Sequence, residues 1–216
     1  MGSPMSTPSP KLTPSTLAAL LCARICHDLV SPVGALGTAV EILDDDGNAD
    51  MHADALELVK SSSRRAAAKL KFLRLAFGAA GSAPGVLATA ELEQLTRDMF
   101  ADAKPELVFN FHADGLDKGR ARLLLNLVML GIGAVPRGGE VRIATTDDAL
   151  SVVSTGKRAR LDEAFARALS GRAPEDGFDG RSIQPFYAGM MAREQGGSAT
   201  SHIEDETVTF RADFAA

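Results

Sequence analysis

The sequence predicts an α+β protein in which an N-terminal helical hairpin is followed by a second domain of mixed helices and strands. Before residue 78, apolar residues recur at spacings of three and four over two long stretches, a pattern typical of amphipathic helices. After residue 85, shorter helix-like and strand-like stretches alternate, which favours helices packed on one face of a sheet. A chain of 216 residues is long enough for two such domains.

The first 14 residues have the composition of a disordered tail. Four prolines lie among serines and threonines, and such a segment has few apolar side chains with which to join a core. Residues Met1 to Pro4 look like a cloning remnant, and no signal peptide is expected in this region. We therefore expect structure to begin after Pro14.

Two amphipathic helices are expected between residues 15 and 78. In the first, from about Ser15 to Asp44, the apolar positions are Leu21, Ile25, Leu29, Val33, Leu36, Val40 and Leu43. A turn at residues 44–48 leads to the second helix, whose seam positions are Leu56, Val59, Ser63, Ala66, Leu70, Leu73 and Phe77. Because two helices cannot bury two such stripes alone, we expect a homodimer in which two hairpins form a four-helix bundle.

A segment of small residues separates the hairpin from the second domain. Residues 78–85 are rich in glycine, alanine and serine, which predicts a domain boundary. Within residues 85–216, helices are expected near 89–103, 118–135, 160–170 and 182–195. Strands are expected as a pair within 139–154 and singly near 107–112, 198–202 and 207–212. These elements predict an α+β layer with a largely antiparallel sheet.

Composition and charge favour proteins over nucleic acid or membranes as partners. With 45% apolar residues and a net charge of −5, the chain has a globular profile without general attraction for nucleic acid or anionic lipid. No stretch approaches the roughly 20 apolar residues of a membrane helix, so we expect a cytoplasmic protein whose partners are proteins. Cys22 and Cys26 lack a second Cys or His pair that would complete a zinc site, so reduced thiols are expected.

His27 is the candidate catalytic residue. It lies two residues from both Ile25 and Leu29, which places it about 200° of helical rotation from the seam. Arg24 and Ser31 share its outward face and can hold the oxygens of a phosphoryl group. Asp28 can accept a hydrogen bond from one ring nitrogen and leave the other as a nucleophile. An exposed His beside an Asp is more often a solvated surface pair, so these residues alone leave the function open.

Poor helix formers follow the His27 site. Pro32 falls inside the predicted helix, where it removes a backbone N–H and favours a kink. The glycines beyond it lower helix propensity further. A surface of small side chains would let a partner's backbone come close to His27. The residues expected to dock a partner are Pro32, Gly34, Ala35, Gly37 and Thr38.

The string Cys26-His27-Asp28-Leu29-Val30-Ser31-Pro32, with Arg24 before it, resembles the phosphoacceptor motif of histidine-kinase dimerisation domains. In that family an acid follows the phosphorylated His, and a Pro comes five residues after it. Together with Arg-x-Ala-Phe-Gly at residues 74–78, this string resembles the motifs of the alphaproteobacterial histidine phosphotransferase family. The resemblance covers nearly the whole chain after the proline-rich tail.

The resemblance implies that the second domain is a degenerate histidine-kinase ATP-binding domain, a Bergerat-type (GHKL-like) α/β sandwich. Asn126 would match one Asn of the kinase pattern, but Leu130 would stand where a magnesium ligand is needed. Ser154 would replace the Asp that recognises adenine, and Arg158 would replace a glycine of the same motif. Between Gly171 and Gly180 there is no convincing glycine-rich lid, although residues 194–197 resemble the closing helix-to-strand turn. ATP use is therefore not expected.

The function that the resemblance implies is a phosphorelay transferase. A receiver phospho-Asp would phosphorylate His27, and phospho-His27 would then donate to the Asp of another response regulator. The implied partners are response-regulator receiver domains of a cell-cycle relay and a hybrid histidine kinase. Magnesium would come with the receiver, and no cofactor or metal is expected in this chain. Two alternatives stay open: an active ATP-dependent histidine kinase, and a non-catalytic dimeric scaffold that binds receivers.

Overall fold

A computed structural model describes residues 12–78 and 84–215 of the chain. Most of the predicted tail and of the predicted boundary segment lies outside these residues. The first helix, α1, spans Pro14–Leu43, so it begins one residue before the predicted start. The Thr13 side chain accepts a hydrogen bond from the Thr16 backbone N–H, and Pro14 occupies the first helical position, where its missing N–H costs nothing.

The hairpin consists of α1, a short 3-10 turn and the second helix. The turn spans Asp46–Met51, and α2 spans His52–Phe77. Asp45 fixes the start of the turn, because its carboxylate accepts hydrogen bonds from the Gly47 backbone and the Asn48 amide. The end of α2 is closed by the Gly78 N–H, which donates to the Arg74 carbonyl. The predicted helical hairpin is therefore present, with a longer second helix than the seam alone indicated.

One long face of the hairpin is apolar and exposed. Val30 is 67% exposed and Val33 55% exposed on α1, and Leu70 is 55% exposed on α2. By contrast, Leu21, Ile25 and Leu29 pack against the core of the protein. The predicted seam is therefore divided, because its N-terminal part contacts the second domain while Val33, Val40 and Leu56 stay uncovered in a single chain.

By length and composition alone, α1 could span a membrane. It has a mean hydropathy of 1.4 over an 18-residue window, of which 6% is buried. The expectation that no stretch approaches this apolar length therefore does not hold for α1. Part of its apolar character is accounted for by the three side chains that pack against the core of the second domain.

Within residues 84–215, the second domain contains two sheets and four helices. The larger sheet has five strands: β2 Glu106–Asn110, β4 Glu140–Thr145, β5 Ala149–Thr155, β6 Gly197–Glu204 and β7 Thr207–Phe214. Their order is β2-β4-β5-β7-β6, in which β2 and β4 are parallel and the other pairs antiparallel. A separate two-stranded sheet pairs β1 Val86–Ala88 with β3 Gly115–Asp117. The helices are α3 Thr89–Met99, α4 Lys118–Ala134, α5 Glu163–Leu169 and α6 Ile183–Glu194.

These elements confirm the predicted α+β class. The two three-residue strands were not predicted, and α3 ends at Met99, four residues earlier than expected. The turn at residues 195–197 matches the expected helix-to-strand connection, with Gly196 at a φ of +74° between α6 and β6. Glycine is suited to this position because a side chain is strained at positive φ.

The core of the second domain continues into the hairpin. α4 is buried on nearly every side, which explains its almost continuous apolar sequence. On α2, Phe72, Leu73 and Ala76 are buried in the same cluster as the α4 leucines. The rings of Phe72 and Phe100 meet edge to face with centroids 5.5 Å apart. The second domain is therefore packed directly on α2.

Candidate functional site

His27 projects from α1 into solvent, as its position opposite the core residues predicts. Its side chain is 81% exposed, and ring atom Nδ1 lies 3.2 Å from Asp28 Oδ1. In the tautomer with a proton on Nδ1, the ring donates to this carboxylate and Nε2 keeps its lone pair. The geometry therefore leaves an accessible nitrogen nucleophile on a ring that is held on its other side.

Asp28 joins His27 to Arg24. Its second oxygen, Oδ2, accepts a hydrogen bond from Arg24 Nε at 3.2 Å, and its side chain is 12% exposed. The sequence predicted Arg24 as a direct support for phosphoryl oxygens, whereas here its Nε contacts the carboxylate that orients the imidazole. Ser31 is exposed on the same helix, one turn after His27. The predicted residues are thus close together, but Arg24 and Asp28 act as a pair.

A cation from the second helix completes the surroundings of Asp28. Lys69 Nζ donates a hydrogen bond to the Asp28 backbone carbonyl at 2.9 Å. Sequence reasoning missed Lys69, because it lies 41 residues away from Asp28. The signal that could have found it is Pro32, whose ring lacks the N–H that normally bonds the carbonyl four residues before it.

A groove of about 380 Å³ runs beside this cluster, between the hairpin and the second domain. From α1 it is lined by Arg24, Asp28, Ser31, Pro32 and Ala35; from α2 by Ser62, Arg65 and Lys69; and from the second domain by Met99, Phe100, Asp102, Ala103 and Met129. Arg65 Nε and Asp102 Oδ2 are 2.7 Å apart and form an ion pair between the two parts of the chain. The groove therefore has one wall formed by the hairpin and one wall formed by the second domain.

The five predicted docking residues lie on different faces of α1. Gly34 and Thr38 are exposed on the His27 face, which follows from their spacings of seven and eleven residues. Ala35 is half-buried in the groove, and the Pro32 ring is buried. Gly37 is exposed roughly 80° around the helix from His27, beside Val30 and Val33. A Cβ atom added at Gly34 or Gly37 would meet no other atom within 4 Å.

Leu130 and Ser154, the residues expected to replace the ligands of a nucleotide site, both lie in the interior of the second domain. Leu130, where the magnesium ligand would stand, is 4% exposed on α4 among apolar side chains. Ser154, where the adenine-recognising Asp would stand, is fully buried in β5. A cleft of about 480 Å³ does open near Leu130, and it is lined by Arg24, Arg160 and Arg181 together with Phe165 and Phe210. Neither Leu130 nor Ser154 offers a ligand atom to that cleft.

The amide of Asn126 is used for packing. Its Nδ2 donates to the Ala76 carbonyl of α2 at 3.0 Å and to the Arg122 carbonyl at 2.9 Å. The side chain of Gln184 on α6 donates to Asn126 Oδ1 at 3.1 Å. Asn126 is fully buried, so this network fastens α2, α4 and α6 together at the junction between hairpin and second domain.

An aromatic contact strengthens the same junction. The Tyr187 and Phe77 rings lie 5.8 Å apart, and Arg122 donates a hydrogen bond to the Tyr187 hydroxyl. Burial raises the pKa of Tyr187 and the Arg122 guanidinium opposes this shift. The hydroxyl is therefore neutral at physiological pH and serves as a hydrogen-bond partner.

The other histidines and cysteines of the chain are further candidate site residues. Within residues 12–78 and 84–215, no group of three or more His, Cys, Asp or Glu side chains is arranged to hold a metal ion. His112 Nε2 lies 3.8 Å from Asp147 Oδ2, but both side chains are exposed on loops that connect strands. Cys22 and Cys26 are free thiols on α1.

Comparisons with known proteins match both parts of the chain. A family model described as the histidine phosphotransferase C-terminal domain matches residues 89–207. The protein phosphotransferase ChpT of Brucella abortus (strain 2308) is 40% identical over 201 residues, covering 91% of this chain and 95% of that protein. A solved bacterial phosphotransferase is 36% identical with a TM-score of 0.82, covering 94% of this chain and 98% of that one. The Acinetobacter baumannii histidine kinase AdeS matches at 12% identity with a TM-score of 0.46, covering 88% of this chain and 97% of that one.

Replacing Asn126 by Ala is expected to destabilise the fold. The substitution removes the donor to the buried Ala76 carbonyl and one of the two acceptors of the Gln184 amide, which keeps its bond to the backbone carbonyl of residue 126, and each buried group left unsatisfied costs about 1 to 3 kcal/mol. We expect the free energy of unfolding, measured by urea titration, to fall by about 2 to 4 kcal/mol. The matched control Asn110→Ala, at the exposed end of β2, should change it by less than about 0.5 kcal/mol. Equal effects of the two substitutions would contradict the assigned role of Asn126.

Proposed function

The chain belongs to the histidine phosphotransferase family, as the residues from Arg24 to Pro32 predicted, and on this premise we propose that His27 relays a phosphoryl group between receiver domains. In this proposal the donor is the phospho-Asp of one receiver and the final acceptor is the Asp of another. The observation that carries it is the exposed His27 imidazole, with Nδ1 held by Asp28 and Nε2 turned to solvent.

The proposed step is an in-line transfer. His27 Nε2 forms a bond to phosphorus as the P–O bond to the donor aspartate breaks, and that aspartate leaves as a carboxylate. The Nδ1 proton stays on the ring, where the Asp28 carboxylate balances the positive charge that develops. The reverse sequence passes the phosphoryl group to the second receiver. In this proposal Arg24 supports the step by fixing Asp28, and the exposed Ser31 hydroxyl would donate to a phosphoryl oxygen.

We propose that magnesium arrives with the receiver. Of the groove-lining residues, the carboxylates are Asp28 and Asp102, and each is paired with an arginine. A receiver's acidic pocket would supply the oxygen ligands that this hard cation prefers. The chain itself would then contribute the nucleophile and its supports, with no bound cofactor and no ATP.

The partners that we propose are response-regulator receiver domains and, upstream, a hybrid histidine kinase in the cytoplasm. Gly34 and Thr38 extend the His27 face beyond Ser31 with small side chains, which permits close approach of another backbone. Neither nucleic acid nor a membrane has a part in this proposal.

We also propose that two copies of the chain pair through the exposed apolar face of the hairpin. Val30, Val33 and Val40 line this face on α1, and Leu56 and Leu70 line it on α2. Large contiguous apolar patches are uncommon on monomers and typical of interfaces. Packing two such faces together would complete a four-helix bundle.

Replacing His27 by Ala is expected to abolish phosphoryl acceptance, because no other nitrogen takes its place. The measurement incubates the full chain with a receiver domain that carries ³²P on its aspartate, and follows acid-labile label on the chain. We expect a loss of at least 1,000-fold with an unchanged circular dichroism spectrum. His112→Ala removes another exposed histidine and should retain the wild-type rate.

The same assay separates the rival functions. Label that appears on the chain from ATP and magnesium alone, without any receiver, would identify an active kinase. A His27→Ala variant that still passes phosphate between receivers at the normal rate would identify a scaffold. Either result would refute the proposed relay.

Charges placed on the exposed apolar face should separate the dimer. In the double variant Val40→Glu and Leu56→Glu, four apolar side chains of the dimer are lost, at about 1.5 to 3 kcal/mol for each buried Val or Leu. We expect the dimer dissociation constant from analytical ultracentrifugation to rise more than 100-fold. The control Val86→Glu removes an exposed valine of β1 and should leave the dimer intact. A wild-type chain that is monomeric at tens of micromolar would refute the proposed pairing.

A bulky side chain at Gly34 should block docking without harming the fold. At Gly34 an added Cβ meets no atom within 4 Å, and methionine replaces a poor helix former, so the free energy of unfolding should rise by about 0.5 to 1 kcal/mol in Gly34→Met. The kcat/KM of phosphoryl transfer from a receiver should nevertheless fall at least 10-fold. Gly180→Met, in the loop before α6, where an added Cβ also meets no atom within 4 Å, serves as the control and should leave transfer unchanged. Equal transfer by both variants would remove Gly34 from the docking surface.

A further inference from the structure

Pro32 leaves one backbone carbonyl of α1 without its usual hydrogen bond within the helix. A helical residue at position 32 would normally donate its N–H to the carbonyl of residue 28, and proline has no N–H to donate. The carbonyl left without this partner belongs to Asp28, the residue that orients His27. The helix continues to Leu43 in spite of this loss, so another group must satisfy the carbonyl.

Lys69 of α2 satisfies it. Its Nζ lies 2.9 Å from the Asp28 carbonyl oxygen, at a half-buried position beside the groove. The lysine therefore joins α2 to the backbone of the helical turn that carries His27 and Asp28. No lysine is needed there for the core, because the neighbouring buried positions of α2 are Phe72, Leu73 and Ala76.

We propose that Lys69 is a positioning residue for phosphoryl transfer, which acts through the Asp28 carbonyl that Pro32 leaves open. This inference rests on the proposed function of His27. Lys69 ties the helical turn that carries His27 and Asp28 to α2, and thereby to the second domain that forms the other wall of the groove. The imidazole then keeps a fixed height and direction relative to a docked receiver.

The expected effect follows from the need for alignment. Displacement of a reacting group by about 1 Å costs on the order of 100-fold in rate. Lys69→Met keeps most of the aliphatic stem and removes the donor. We expect it to lower kcat for phosphoryl acceptance between 10-fold and 100-fold, with KM for the receiver changed less than 3-fold. Lys69→Arg, which keeps a cationic donor, should recover most of the loss.

A double-mutant cycle with Pro32 tests the route of this effect. Pro32→Ala restores the backbone N–H at position 32, so the Asp28 carbonyl no longer depends on the lysine. In the Pro32→Ala background we expect Lys69→Met to change kcat less than 3-fold. The double variant is also less prone to misfold than Lys69→Met alone. The N–H that Pro32→Ala restores stabilises the part of the helix that Lys69→Met weakens.

The experiment uses the full chain and a receiver domain shown to phosphorylate wild-type His27. Lys71→Met, an exposed lysine on the same helix, is the matched control and should behave as wild type. A Lys69→Met variant with wild-type kcat would overturn the inference. An equal loss of kcat in the Pro32→Ala background would also overturn it, because Lys69 would then act through its charge alone. Failure of wild-type His27 to accept phosphate from any receiver would instead refute the proposed function.

Discussion

Asp28 is the residue on which the geometry of the site depends. Its carboxylate contacts the His27 ring with one oxygen and Arg24 with the other, and its backbone carbonyl accepts from Lys69. These three contacts come from the same helix turn and from the facing helix. A flexible histidine on a solvent-exposed helix would otherwise sample several rotamers. The contacts of Asp28 limit that freedom while leaving Nε2 open to solvent.

The second domain contributes one wall of the groove beside the site. Leu130 and Ser154, which stand where the resemblance to kinases would put a metal ligand and an adenine contact, are buried. Asn126 is hydrogen-bonded to α2 and α6 at the junction between the hairpin and the second domain. The Arg65–Asp102 ion pair and the Phe72–Phe100 contact hold the same junction. These contacts hold the groove wall formed by the second domain against the hairpin.

Much of the fold could be predicted from the sequence, because long helices carry strong periodic signals. The hairpin, α4, α6 and the antiparallel strands follow from spacing alone, and the outward direction of His27 follows from its offset to Ile25 and Leu29. The strands β1 and β3 have three residues each, too few to show alternation. The contact of Lys69 with Asp28 and that of Asn126 with Ala76 join residues 41 and 50 positions apart along the chain, and local patterns do not encode such partners.

The hydrogen bonds of Asn126 also limit what substitutions elsewhere in the second domain can achieve. An asparagine at position 130 and an aspartate at position 154 would supply two side chains of the kinase pattern that this sequence resembles. The amide at position 126 would still be committed to the Ala76 carbonyl and to Gln184, so a metal ion would have to compete with the interior of the protein for it. A side chain that joins three helices becomes available to a ligand only when those helices separate, so the stability of the junction and ligand binding by Asn126 oppose each other.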